Sequence, residues 1–190
     1  MRQEKYPLDD LYLLVETAGT ATPASLPLLE KAIVSPLPEM RFWGVVGYAK
    51  LAREKQIKTC PQALLALLQD TNAYIASEAA YAVSYLGKAD EGVARLVTPL
   101  LDKDRKIGYS SLECLSLDSE MRDYIRPFVP ELKKAAETLP RLENEAAGLM
   151  ARGILVNLGE LKIEELHGLE VYQKGLKLNH GRRAMLPLPY

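Results

Sequence analysis

Carboxylates occur in pairs at Asp9-Asp10, at Asp102 with Asp104 and at Glu164-Glu165, and paired carboxylates are what acid and base catalysis or a hard cation requires. All three pairs fall at predicted turns or helix starts, where negative charge complements the helix dipole. Their placement reads as capping. Ser110 and Ser111, in the string Gly108-Tyr-Ser-Ser-Leu112, come nearest to a nucleophile elbow, but the second glycine is missing and the string sits inside a helical pattern. Cys60 and Cys114 have no CxxC partner and no neighbouring histidine, which argues against a zinc site and against a disulfide framework. Both read as free thiols. His167 and His180 lack a Cys, Asp or Glu at diagnostic metal spacing and read as surface or tail residues. Gly44-Val-Val-Gly47 lacks the strand that must precede a phosphate loop. These residues assemble no catalytic, metal or cofactor constellation.

The elements that would have to position any site must therefore come from the rest of the chain. Its 190 residues are one domain's worth, and 48% apolar with 26% charged residues suffices to bury a core, which excludes a fibrous or disordered protein. A formal net charge of −1 supplies no field to draw phosphate backbones, so nucleic acid is not expected as a partner. No apolar leader follows Met1, and the longest aliphatic run, Ala63 to Leu68, is far short of a membrane span. A membrane is not expected as a partner either.

Internal repetition carries the fold. Segments beginning at Met40, Ile75, Ile107 and Ala147 align at offsets of 35, 32 and 40 residues. Four residues into each come Gly44, Ala79, Ser111 and Ala151, and four further on come Tyr48, Val83, Leu115 and Leu155. A stripe at this spacing, with a small residue at its middle level, predicts a helix packed closely on its neighbours. The next level is Leu51, Leu86, Asp118 and Leu158, so the third copy departs at its end. An apolar helix is predicted before each: Ser25 to Val34, Gln62 to Gln69, Gly92 to Leu101 and, more loosely, Pro130 to Leu139. In these, Leu29, Leu64 and Leu96 share one column, and Ile33, Leu68 and Leu100 another. Pro61 is expected in a first turn, Asp90 as an N-cap, and Gly87 and Gly159 as C-caps. Tyr6 to Ala18 predicts a leading helix that caps the first repeat.

A helical pair of this length cannot bury its apolar face alone, so the predicted fold is an all-α solenoid of about four helix pairs. It covers residues 1–159 with the leading helix, and an irregular tail follows over 160–190. Aromatic residues form the one distinctive surface pattern. Tyr74, Tyr81 and Tyr85 lie at spacings of seven and four, on a different side from Ile75, Ala79 and Val83, and Phe42, Trp43 and Tyr109 occupy off-stripe columns of adjacent repeats. Either these rings pack between repeats, or they form a face that docks a partner protein or stacks on a ligand.

Paired helices at this period, over residues 25 to 159, resemble HEAT-like repeats. With the leading helix Asp10-Leu-Tyr-Leu-Leu-Val-Glu-Thr-Ala18, the segment Arg41-Phe-Trp-Gly and the tail strings Tyr172 to Asn179 and Arg182 to Pro189, the arrangement resembles the C-terminal HEAT-repeat extension of some bacterial sulfatases. The resemblance implies a non-catalytic module that packs on a sulfatase catalytic domain. It also implies a periplasmic or extracytoplasmic site if the parent is secreted, with calcium only in the parent's catalytic domain. The sulfatase nucleophile motif, Cys or Ser followed by Pro two residues on and Arg four residues on, is missing: Cys60 has Gln62 and Leu64 at those offsets, and Cys114 has Ser116 and Asp118. The alternative is a free-standing scaffold that binds another protein.

The tail breaks the repeat pattern, carries Lys174, Lys177, Arg182 and Arg183 with no acid from 174 to 190, and is rich in apolar residues. It is expected to fold back on the end of the solenoid or on a partner domain.

Overall fold

The computed structural model describes residues 6–98, 109–138 and 145–162. Among these, every regular element is helical: α1 (Leu8–Gly19), α2 (Leu26–Ile33), α3 (Pro38–Arg53), α4 (Gln62–Ala66), α5 (Ala73–Tyr85), α6 (Ala89–Val97), α7 (Tyr109–Leu117), α8 (Ser119–Ile125), α9 (Val129–Thr138) and α10 (Glu145–Asn157). Short 3-10 turns open α2, extend α4 over Leu67–Gln69 and join α8 to α9 over Arg126–Phe128.

The longer helices pack in succession, α3 on α5, α5 on α7 and α7 on α10. On them lie α2 against α3, α4 and α6 against α5, and α9 against α10, with α1 packed on α3. The columns of the sequence pattern are the core. Tyr48, Val83, Leu115 and Leu155 are all buried, as are Leu29, Leu64 and Leu96 in the partner helices. At the middle level Gly44, Ala79 and Ala151 are buried, and the reason is close approach. A methyl group on Gly44 would come within 2.8 Å of the Ala32 side chain and 3.0 Å of the Ile33 backbone nitrogen. Gly92 likewise sets α6 against Ser84 and the Ala80 carbonyl of α5, with no room for a methyl group. Leu100, Ile107 and the side chains of Ser111 and Ala147 lie outside the described residues.

Helix ends follow local chemistry in most places. The Asn72 side chain accepts from the Tyr74 N–H at 3.0 Å to open α5. Gly87 and Gly159 have φ of +78° and +75°, and the following N–H groups reach back to Val83 at 3.1 Å and Leu155 at 2.8 Å. This double-turn closure needs the left-handed conformation that glycine adopts without penalty. At the end of α3 the same closure is made by Lys55, at φ 58°, with Gln56 N–H on the Leu51 carbonyl at 2.9 Å.

Two expectations are corrected, and one helix is added. Asp90 is no N-cap: α6 begins one residue before it, so Asp90 and Glu91 lie in the first turn and act on the dipole instead. Pro61 precedes α4 in extended conformation rather than sitting inside its first turn. The helix expected over Pro130 to Leu139 is α9, but α8 before it was not expected, and Asp118 leaves its apolar column because its carboxylate caps α8, accepting from the Glu120 N–H at 2.9 Å.

Three arginines satisfy carbonyls at the ends of neighbouring helices, where the last helical C=O groups have no intrahelical partner, and a fourth, Arg41, does the same for the turn between α2 and α3. Arg41 donates to the Ser35 and Pro36 carbonyls, Arg95 to Leu68, Arg122 to Ser116 and Leu117, and Arg152 to Ala136. Arg41 also holds Asp70 through two bonds of 2.7 and 3.3 Å, and the Asp70 side chain is only 4% exposed. The turn after α2 is thereby tied to the turn before α5.

Overpacking the middle level through Ala79→Leu, or placing a methyl group on Gly92, is expected to destabilise by about 1 to 3 kcal/mol. Denaturant midpoints unchanged in both variants would mean that these helices do not meet here. Arg41→Ala should lose about 3 kcal/mol by leaving the Asp70 carboxylate unpaired, whereas Arg41→Met with Asp70→Leu should recover most of it. Equal losses in the single and double variants would exclude this account.

Candidate functional site

Where α5 is buried against α3, α4, α6 and α7, one line of side chains remains at the surface: Tyr74, Glu78, Tyr81 and Tyr85. Their spacings of four, three and four residues place them on a single helical stripe. At the equivalent levels α3 presents Glu39, Trp43, Val46 and Lys50, and α10 presents Met150, Gly153 and Asn157, none of them buried. α3 packs on α5, so their two stripes lie on adjoining helices.

The expected aromatic residues meet on this face in part. Tyr81 and Tyr85 stand edge to face with centroids 5.3 Å apart, and Phe42 and Trp43 do the same at 5.4 Å. All four are half-buried against the core. Tyr74 is 57% exposed at the start of the line. Tyr109 is the first residue of α7, and its side chain lies outside the described residues.

Polar partners fix the two tyrosines. Tyr85 donates its hydroxyl to Asp118 at 3.0 Å, and the Arg53 guanidinium stands beside the Tyr81 hydroxyl. Asp118 also caps α8 through Glu120, whose carboxylate is 2.6 Å from Lys55 at the end of α3. The contacts close a ring from α3 through α5 and the α7 to α8 junction and back to α3. Burial raises the Tyr85 and Tyr81 phenols above their ordinary range, and the Asp118 carboxylate raises Tyr85 further. Neither phenol is a base at neutral pH. Arg53 and Asp118 were not among the residues expected at this face, although Asp118 had signalled itself by breaking an apolar column.

Of the other candidates among the described residues, Cys114 comes near this face, close enough to Tyr81 to raise its phenol. Asp9 and Asp10 lie in the first turn of α1, and Gly44 and Gly47 are buried in α3. Cys60 is half-buried, and burial pushes its thiol up, away from the nucleophilic thiolate. Cys114 is exposed on α7. Asp102, Asp104, Glu164, Glu165, His167 and His180 lie outside the described residues. Among the described residues no group of three or more His, Cys, Asp or Glu could hold a metal ion, and no helix is long and apolar enough to cross a membrane. Comparison with known families, with curated proteins and with solved structures gives no match.

Beneath the face, burial pushes the Tyr48 phenol up to about 12, helped by Glu30 and Cys60. The folded state thus holds this proton more tightly than the unfolded chain does. Its contribution to stability is complete below the ordinary phenol value of about 10 and is lost as pH rises from there to about 12. Tyr48→Phe should therefore flatten the alkaline limb of the stability curve between those values. An unchanged limb, followed by denaturant unfolding at stepped pH, would show that Tyr48 ionises as it does in the unfolded chain.

Proposed function

We propose that the chain is a HEAT-like α-solenoid that works as a non-catalytic docking module, with the face bearing Trp43, Tyr74, Tyr81 and Tyr85 as its protein-binding surface. The observation that carries this reading is the α5 stripe. Its opposite side is filled by small and aliphatic residues, yet the accessible line is given to three tyrosines and a glutamate. Tyrosine offers large apolar contact with a polar tip at low entropic cost, which suits a surface that alternates between water and a partner. Arg53 and Asp118 hold two of the rings in place before any partner arrives, which reduces the ordering that binding requires.

The partner that the sequence resemblance implies is a sulfatase catalytic domain. In that reading the module packs on the enzyme, shapes the approach to its active site or joins copies of it, and contributes no catalytic residue. The second reading keeps the same surface on a free-standing scaffold. The coding sequence upstream of Met1 separates the two: an open frame with Cys or Ser, then Pro two residues on and Arg four residues on, supports the first.

The purified chain is expected to leave an aryl sulfate ester unhydrolysed, with or without added calcium, because no residue of it stands in the required nucleophile motif. Turnover that disappears in Cys60→Ala or Cys114→Ala would overturn the non-catalytic reading. Tyr74→Ala with Tyr81→Ala should weaken association with a catalytic domain found upstream by about tenfold or more, while the helical melting curve stays cooperative. Unchanged association would remove the aromatic face from the proposal.

A further inference from the structure

We propose that the outer apolar stripe of α1 is the docking site for this chain's own C-terminal segment, residues 171–190. α1 has an apolar arc wider than its support. Leu14 and Ala18 are buried on the body and Leu11 and Val15 are half-buried, but the arc continues into solvent through Leu8, 53% exposed, and Tyr12, 68% exposed. Leu13 on the same helix, Tyr6 before it and Val34 at the end of α2 are also exposed. Five of the eight large apolar side chains exposed among the described residues are thus at this end of the molecule, and such a gathering marks a contact surface where single exposed residues do not.

Charge selects the occupant. α1 carries Asp9, Asp10 and Glu16 and no cation, so whatever covers it must bring apolar side chains flanked by positive charge. Residues 171–190 have that composition, with Val171, Tyr172, Leu176 and Leu178 around Lys174 and Lys177, then Arg182 and Arg183, and no acid. A second copy of α1 is the wrong occupant, because it would set these carboxylates against like charges.

Reach permits the contact within one chain. From α10 to α1 the stack takes four steps, through α7, α5 and α3, of about 10 Å each. Residues 163–175 can span at most roughly 45 Å, so the part of the segment from Leu176 onward can lie on α1. The proposal rests on the helix stack and on charge, and it is independent of the partner argued for above.

The full chain carrying a photoactivatable benzoylphenylalanine in place of Tyr12 is irradiated as a mixture of isotopically light and heavy copies, and the cross-linked peptides are mapped by mass spectrometry. Most cross-links should join position 12 to residues 171–190 of the same copy. Their yield should fall by about tenfold when Lys174, Lys177, Arg182 and Arg183 are all changed to Glu, or in about 1 M salt, where the screening length is about 3 Å. Links between light and heavy copies would assign the stripe to a second copy and overturn the proposal, and so would links mainly to other segments or none at all. Hydrogen exchange gives a second measure without the probe: amides of α1 should exchange faster in the charge-reversed chain, and equal rates would also overturn it.

Discussion

Each long helix here is packed on more than one side, and the backbones must approach closely enough for apolar side chains to interlock. That constraint governs the molecule. α5 buries Ile75, Ala76, Ser77, Ala79, Ala80, Ala82, Val83 and Ser84, and all but two of these are alanine or serine. Gly44 removes the last methyl group between α3 and α2, and Gly92 does so between α6 and α5. Small residues surrender contact area one by one, but they bring large partners such as Tyr48, Leu29 and Leu64 into full burial. Close packing of this kind tolerates little change in volume.

Bringing helices together this tightly crowds their ends, and the ends carry unsatisfied backbone groups. The arginines answer that problem. Arg95, Arg122 and Arg152 each donate to carbonyls at the end of another helix, and Arg41 to those of the turn between α2 and α3, with a planar fork that reaches where backbone cannot. The Arg41 and Asp70 pair goes further, since a nearly buried carboxylate is tolerable only with its partner in place. Surface pairs such as Lys50 with Glu54 and Lys88 with Glu91 add little beside it.

The accessible face is what this packing leaves over. With most of α5 committed to neighbours, only one stripe of it can meet solvent, and its residues must satisfy both water and the edge of the core. Tyr81 and Tyr85 do so with a ring against the body and a hydroxyl on Arg53 or Asp118. The same contacts tie the end of α3 to the start of α8. α1 follows a different rule. It is supported on one side only, and its apolar arc overruns that support.

The sequence alone determined the helices and their buried columns, because a spacing of four with a small middle level is a local property that any reader of the chain can count. It also determined the glycine ends at Gly87 and Gly159, where only one residue type is free to adopt the required φ. Tertiary structure decided the rest. No local pattern links Arg41 to Asp70, Tyr85 to Asp118 or Lys55 to Glu120, since each pair joins helices far apart in the chain. The additional helix α8, between α7 and α9, depended on Asp118 acting as a cap, which its apolar column concealed. Whether an aromatic ring was core or surface was likewise undecidable from spacing, because a half-buried ring satisfies both patterns and only the neighbouring helix determines which side it covers.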